Sequence, residues 1–237
     1  MRQIKMSGYI DDAQYFGDEI TPEIMDSALR GENGDLTDDV HITLSSYGGS
    51  IDAAARIYDV IADYPGRVSI TVSGTLASAA VGMAMAADRL DMTPGSMMMI
   101  HDPMTCVFGN EADLTEAIGM LRKYKESILN LYEKRITITR EEAYAMMTDA
   151  TWMDANEALK YSFIDAIYEP ESGALNAAKP RAFDRDEAER KISAYYARKS
   201  SMYNQGGKHD KPHSGGSKPH GMVNARLKRL NLIILDR

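Results

Sequence analysis

Cysteine is almost absent. The single thiol, Cys106, excludes an internal disulfide and any cysteine-built metal cluster in this 237-residue chain. A small buried thiol is the expected role for it. Long apolar runs are missing too. The longest, Leu76–Ala87, is too short and too rich in Ala and Gly to span a bilayer. The opening Met-Arg-Gln-Ile-Lys-Met-Ser-Gly contains no apolar stretch of the signal-peptide kind, so a soluble, cytoplasmic protein with no membrane partner is expected. A surplus of positive charge is also lacking. Lys and Arg number 27 against 35 Asp and Glu, a formal charge of −8, which argues against a nucleic-acid partner held through its phosphates. Histidines are few, and three of the five (His209, His213, His220) fall in a tail without an ordered ligand shell, so neither a metal nor a cofactor is expected.

What is present is a 44% hydrophobic content, enough for one sizeable core plus an appendage. Val40–Ser45 alternates and is β-branched, which predicts a strand. A tight Ser46-Tyr-Gly-Gly-Ser50 turn follows it. Ser50 then caps a helix with Ile51, Ala54, Tyr58 and Ile61 on one face. Val68–Ser73 predicts a second strand, stopping at Gly74, and a small-residue helix runs on to about Ala87. Asp88–Met92 and Ser96–His101 read as further short strands. Upstream, Ile4–Ile10 reads as a first strand, and Asp18–Leu29 as a helix with Pro22 at its start. The alternation of strand, glycine turn and helix implies an α/β fold with a mainly parallel sheet. In such sheets, sites gather at the carboxyl ends of strands, where both glycine turns lie.

Downstream, Glu111–Lys134 predicts a long amphipathic helix with Leu114, Ile118, Leu121, Ile128 and Tyr132 inward. Thr139-Arg-Glu-Glu142 is a capping-box pattern for a helix to Met147. Asp154–Tyr161 predicts a short helix with Ala155, Ala158 and Leu159 inward, and Phe163–Tyr168 a returning strand. After Glu169 the composition shifts. The boundaries are therefore drawn as a domain at 1–169 and an extension at 170–237, with a charged helix over Asp184–Lys199, a Gly/His/Lys/Pro/Ser-rich linker and a short basic-apolar end.

The chemistry concentrates at Ser78. A serine at the start of a helix lies beside unpaired N–H groups that suit a developing oxyanion. His101 ends a buried strand and points into the same crevice, where it can act as the general base of an acyl transfer. A carboxylate is needed to fix the imidazole tautomer, and Asp149 is the candidate. Asp102 would point away along its strand, and Asp154 is better placed as an N-cap. Ala79 supplies one oxyanion N–H, and Gly48 or Gly49 the other.

Four segments now carry a resemblance: Ser45-Ser-Tyr-Gly-Gly-Ser-Ile51, Gly74-Thr-Leu-Ala-Ser-Ala-Ala80, Met98-Met-Ile-His-Asp-Pro103 and Thr151–Asp165. In this order and spacing they resemble the proteolytic subunit of the Clp (caseinolytic) serine proteases, and most the branch called phage head-maturation proteases. The resemblance covers about Ile4–Glu169. It implies a ClpP/crotonase fold of repeated β-β-α-type units with a protruding long helix. It further implies Ser78 as nucleophile, His101 as base, and Gly48 with Ala79 as oxyanion hole. It also implies self-assembly into heptameric rings, stacked in pairs through the Glu111–Lys134 helix, around protein or peptide substrates. Three departures stand out. The family's triad Asp falls at Ala150, one residue after Asp149. Tyr47 replaces the proline common before the glycine pair. The chain starts almost at the first strand, where the family has its ATPase-docking segment, so a Clp-type ATPase partner is not implied. The rival readings are a crotonase-like acyl-CoA enzyme, which needs neither Ser78 nor His101, and a catalytically silent scaffold of the same fold.

Overall fold

The structure, a computed structural model, describes residues 1–31 and 38–169. The expected loop at Gly31–Asp35 falls mostly outside them, as does everything assigned above to 170–237. The described residues divide into two compact units, one holding Met1–Asp102 with 122–169, the other Pro103–Leu121.

In the first unit the strands and helices alternate as the sequence implies. Strand β1 (Arg2–Ser7) leads to a short parallel pair, β2 (Tyr9–Ile10) with β3 (Glu19–Ile20). Helix α1 (Pro22–Arg30) follows, with Thr21 Oγ1 accepting from Ile24 N–H at 3.2 Å. The predicted helix thus starts later than Asp18, because Glu19 and Ile20 are buried in a strand pair. Then come β4 (Val40–Ser46), α2 (Ile51–Ala62), capped by Ser50 accepting from Ala53 N–H, and β5 (Val68–Ala77). Helix α3 (Ala79–Ala84), β6 (Arg89–Met92) and β7 (Met97–Ile100) complete the first run. After α4 (Glu111–Tyr132), shared between the units, come α5 (Arg140–Thr148), β8 (Thr151–Asp154), α6 (Ala155–Lys160) and β9 (Ala166–Ile167). Both predicted capping residues are in place, Thr139 for α5 and Asp154 for α6. The returning strand is shorter than Phe163–Tyr168.

The main sheet has seven strands, ordered β1-β4-β5-β6-β9 in parallel, with β7 paired to β5 and β8 paired to β7. Strand β5 is the axis. Its first half pairs with β6 (Ser69–Val72 with Arg89–Met92), and its last residues, Thr75–Ala77, pair with Met97–Met99 of β7. The expectation that it stops at Gly74 is therefore overturned. Glycine at φ 112° turns the chain there without ending the strand, because β7 supplies a second partner. The helix after it is correspondingly shorter than predicted. Strand β8 is antiparallel to β7, Ile100 facing Thr151 and Met97 facing Asp154.

Ile42, Leu44, Ile70, Val72, Leu90 and Met92 lie on the covered face and are fully buried or nearly so. Helix α2 packs against α1 and α3. Two helix faces differ from the sequence reading. On α4, Leu114 and Ile118 are exposed, while Lys125, Leu129 and Tyr132 are buried. Leu159 of α6 is exposed as well. No helix of the described residues is long and apolar enough to cross a membrane.

Candidate active site

Ser78 stands between the end of β5 and the first turn of α3. Its backbone is strained, at φ 59° and ψ −132°, a region that a non-glycine residue occupies only when its surroundings force it. The force comes from both sides. Ser78 N–H donates to Met99 C=O at 2.8 Å, and its own C=O accepts from Val81 N–H at 3.0 Å. The sharp strand-to-helix turn sets Oγ toward His101 and leaves the residue 7% exposed.

His101 follows the last residue of β7 and is 8% exposed. Its Nε2 lies 2.9 Å from Ser78 Oγ. For Nε2 to accept the serine proton, the ring hydrogen sits on Nδ1. Burial pushes the imidazole down to about 4, and the neighbouring Asp102 carboxylate pulls the other way. His101 is thus a neutral base at neutral pH.

The third member is not assembled. Asp149 is exposed and closes α5 as its C-cap, and its carboxylate makes no hydrogen bond or ion pair with His101. Continuing the β7–β8 register one step beyond Ile100–Thr151 puts Ala150, not Asp149, opposite His101. Ala150 is itself left-handed, at φ 50°. Asp102 is engaged with another group. Its Oδ1 forms an ion pair with Lys125 Nζ at 2.6 Å, without hydrogen-bond geometry. Lys125 instead donates to Thr148 Oγ1 at 2.8 Å and lies over the Tyr144 ring at 3.2 Å. Nothing in the apolar pattern of α4 announced this lysine; a cation at an inward position was the only available signal.

On the oxyanion side, Ala79 N–H is the first amide of α3 and has no helical acceptor of its own. Gly48, at φ 89°, packs directly against the turn. A Cβ there would stand 2.7 Å from both Ala77 O and Ser78 Cβ, so only glycine permits this approach. Its N–H donates to Ser46 Oγ at 3.1 Å, a hydroxyl the sequence reading passed over. Gly49 is held differently, its α-carbon against Ile10 of β2. Among the described residues no group of His, Cys, Asp and Glu is arranged to hold a metal. His41 Nδ1 lies 3.0 Å from Ser69 Oγ, away from the serine turn on the first half of β5. Cys106 is partly exposed rather than buried, because it follows β7 in a segment without regular structure.

Comparison with known proteins gives the family. The family model for Clp protease matches residues 2–171. An ATP-dependent Clp protease proteolytic subunit from Borrelia garinii subsp. bavariensis is 29% identical over 168 residues, 70% of this chain and 84% of the relative. One from Streptococcus mutans is 29% identical over 156 residues, 64% of this chain and 80% of the relative. A proteolytic subunit 1 from Chlamydia muridarum is 30% identical over 128 residues, 52% of this chain and 67% of the relative. A serine-type peptidase fits these likenesses, and neither rival reading is favoured by them. The sheet, the serine turn and the match over most of its length make this chain a member of the Clp protease family.

Proposed function

We propose that this protein is an endopeptidase that cleaves peptide bonds through an acyl-enzyme on Ser78. The observation that carries the reading is the 2.9 Å approach of His101 Nε2 to Ser78 Oγ at a strained strand-to-helix turn. His101 Nε2 takes the hydroxyl proton as Oγ attacks the carbonyl carbon. The oxyanion is received by the N–H groups of Ala79 and Gly48, the latter exchanging its Ser46 acceptor for the substrate oxygen. His101 then hands its proton to the leaving amine. Water, deprotonated by the same nitrogen, attacks the ester carbonyl, and Ser78 leaves as the free hydroxyl.

The working unit in this geometry is a Ser–His dyad. Asp149 is the carboxylate the sequence offers as orienter, and reaching His101 requires a turn of the Asp149–Ala150 link. The relatives are named as proteolytic subunits of ATP-dependent proteases, and we extend two properties to this chain on that footing. It assembles with copies of itself, as heptameric rings or stacked pairs of rings, and an ATPase feeds it unfolded segments. Capsid-protein processing in the cytoplasm of an infected cell is the finer reading, supported by the resemblance to the head-maturation branch.

A fluorophosphonate probe tests the core of this proposal. Wild type should label at Ser78 at neutral pH, and Ser78→Ala should not. A folded wild type that stays unlabelled refutes the peptidase reading. Sedimentation of the full chain as a monomer at micromolar concentration refutes the ring.

A further inference from the structure

The residue after the base carries a charge that the acyl-transfer steps above do not use. Asp102 follows His101 directly, just past the end of β7 and before Pro103. Its N–H donates to Met147 C=O at 3.0 Å, which ties this backbone to the last turn of α5. The side chain as a whole is 42% exposed, yet Oδ1 is sealed from solvent and accepts no hydrogen bond. The group beside that oxygen is the Lys125 ammonium of α4, 2.6 Å away. Lys125 is itself buried, lies over the Tyr144 ring and donates to Thr148 Oγ1. The cation is therefore fixed, and it fixes the carboxylate.

A charge next to a general base matters most when no carboxylate orients that base directly. That is the case here: Nε2 of His101 faces Ser78 Oγ, and Asp149 is not joined to the ring. The elements around His101 bring few other charges. Strand β8 sets Thr151 opposite Ile100, and Asp154 at its far end caps α6. Helix α5 ends in the exposed Asp149, the β5–α3 turn brings Ser78, and α4 brings Lys125. Burial disfavours the protonated ring, and among the described residues Asp102 is the carboxylate that pulls against it. The imidazole receives a proton only as Ser78 attacks. A nearby negative charge thus stabilises the transition state more than the bound substrate. A cation held on that same carboxylate cancels part of the effect.

We propose that Asp102 is the through-space counter-charge of the His101 imidazolium during acyl transfer, and that Lys125 sets its strength by holding it and partly neutralising it. The pair positions and tunes the base, and neither residue reacts. The proton passes from Ser78 Oγ to His101 Nε2 and on to the leaving amine, while Asp102 stays ionised and Lys125 stays protonated. The proposal rests on the peptidase reading, because it concerns the proton that His101 takes from Ser78.

The test uses the full chain at neutral pH. It measures the second-order rate of fluorophosphonate labelling and the steady-state cleavage of a fluorogenic peptide. Asp102→Asn should lower the labelling rate and kcat about tenfold and change KM by less than about twofold, because the lost charge acts only once the ring is protonated. Lys125→Met should raise both rates about threefold, because it removes the neutralising cation and leaves the carboxylate. Thr148→Val takes a hydroxyl from Lys125 but alters no charge, and should stay within about twofold of wild type. Opposite signs in the two charge variants distinguish tuning from support of the fold, since lost packing slows both alike. Lys125→Met decides the matter if Asp102→Asn fails to fold. Wild-type rates in Asp102→Asn, a slowed Lys125→Met, or a Thr148→Val as slow as Asp102→Asn each overturn the proposal alone. A folded wild type that does not label overturns it together with the peptidase reading.

Discussion

Placing a carboxylate at position 150 should raise the activity of this protein. Ala150 is the residue that the β7–β8 register sets opposite His101, and directly opposed α-carbons lie roughly 4.5–5.5 Å apart. An Asp side chain from there reaches the imidazole Nδ1, the nitrogen left to donate once Nε2 faces Ser78. The backbone favours the change, because at φ 50° Asp is better tolerated than Ala. Ala150 is exposed, so no core is overfilled, and stability should move by less than about 1 kcal/mol. A carboxylate at that distance raises a histidine by about 1 to 3 pH units, lifting His101 from about 4 toward roughly 5 to 7. Loss of the orienting acid from a serine–histidine–aspartate triad costs about 10⁴ in kcat, so Ala150→Asp should gain on the order of 10² to 10⁴ in kcat/KM. That is about 3 to 5 kcal/mol of transition-state stabilisation. The assay is steady-state cleavage of a fluorogenic peptide between pH 4 and 9, with fluorophosphonate labelling as a check on the dyad. The acid limb should move up together with the rate. Unchanged kcat/KM with an unmoved limb, in a protein that still labels, would falsify the geometry. A loss of 10³ or more in Asp149→Asn alone would show that Asp149 already does the work.

Other outcomes follow from the same contacts. In wild type the acid limb of kcat/KM should lie near pH 4, well below an ordinary histidine, because His101 must be neutral to accept the Ser78 proton. Stability follows the same titration. His101 binds its proton more weakly folded than unfolded, so about 3 kcal/mol present above pH 6.5 is lost as the pH falls through 4, readable in urea titrations across that window. Gly48→Ala should abolish labelling, because its Cβ would meet Ala77 O and Ser78 Cβ at 2.7 Å; a labelled, folded variant contradicts this. Asp102→Asn should destabilise by about 1 to 3 kcal/mol because buried Lys125 loses its counter-ion while keeping Thr148 Oγ1 and the Tyr144 ring, whereas Lys125→Met, which removes that charge, should cost less. The reverse order in denaturant midpoints refutes the assignment.

Strands β4 and β6, helix α2 and the caps Ser50, Thr139 and Asp154 were legible because their signals are local: alternation, β-branching, and a hydroxyl or carboxylate three residues before an amide. Ser78 and His101 were legible because a small-residue turn and a strand end are both visible in the chain. What escaped depends on distant partners. Thr75–Ala77 continue β5 only because Met97–Met99 pair with them, and β8 is four residues whose pairing partner lies some fifty positions earlier. The inward face of α4 was misjudged because Lys125 is buried by an ion pair and a tyrosine ring, which no hydropathy pattern encodes. The separation of Asp149 from His101 turns on a one-residue register, which side-chain type alone does not specify.

The 2.8 Å hydrogen bond from Ser78 N–H to Met99 C=O makes the spacing of nucleophile and base a property of the sheet rather than of a loop. To part them, β5 and β7 must separate, and that opening is continuous with unfolding of the sheet itself. Heat should therefore offer this protein no inactive but folded halfway state. Residual activity should follow the population of intact sheet up to the melting temperature, and the Ser78 amide should exchange with solvent as slowly as those of the central strands.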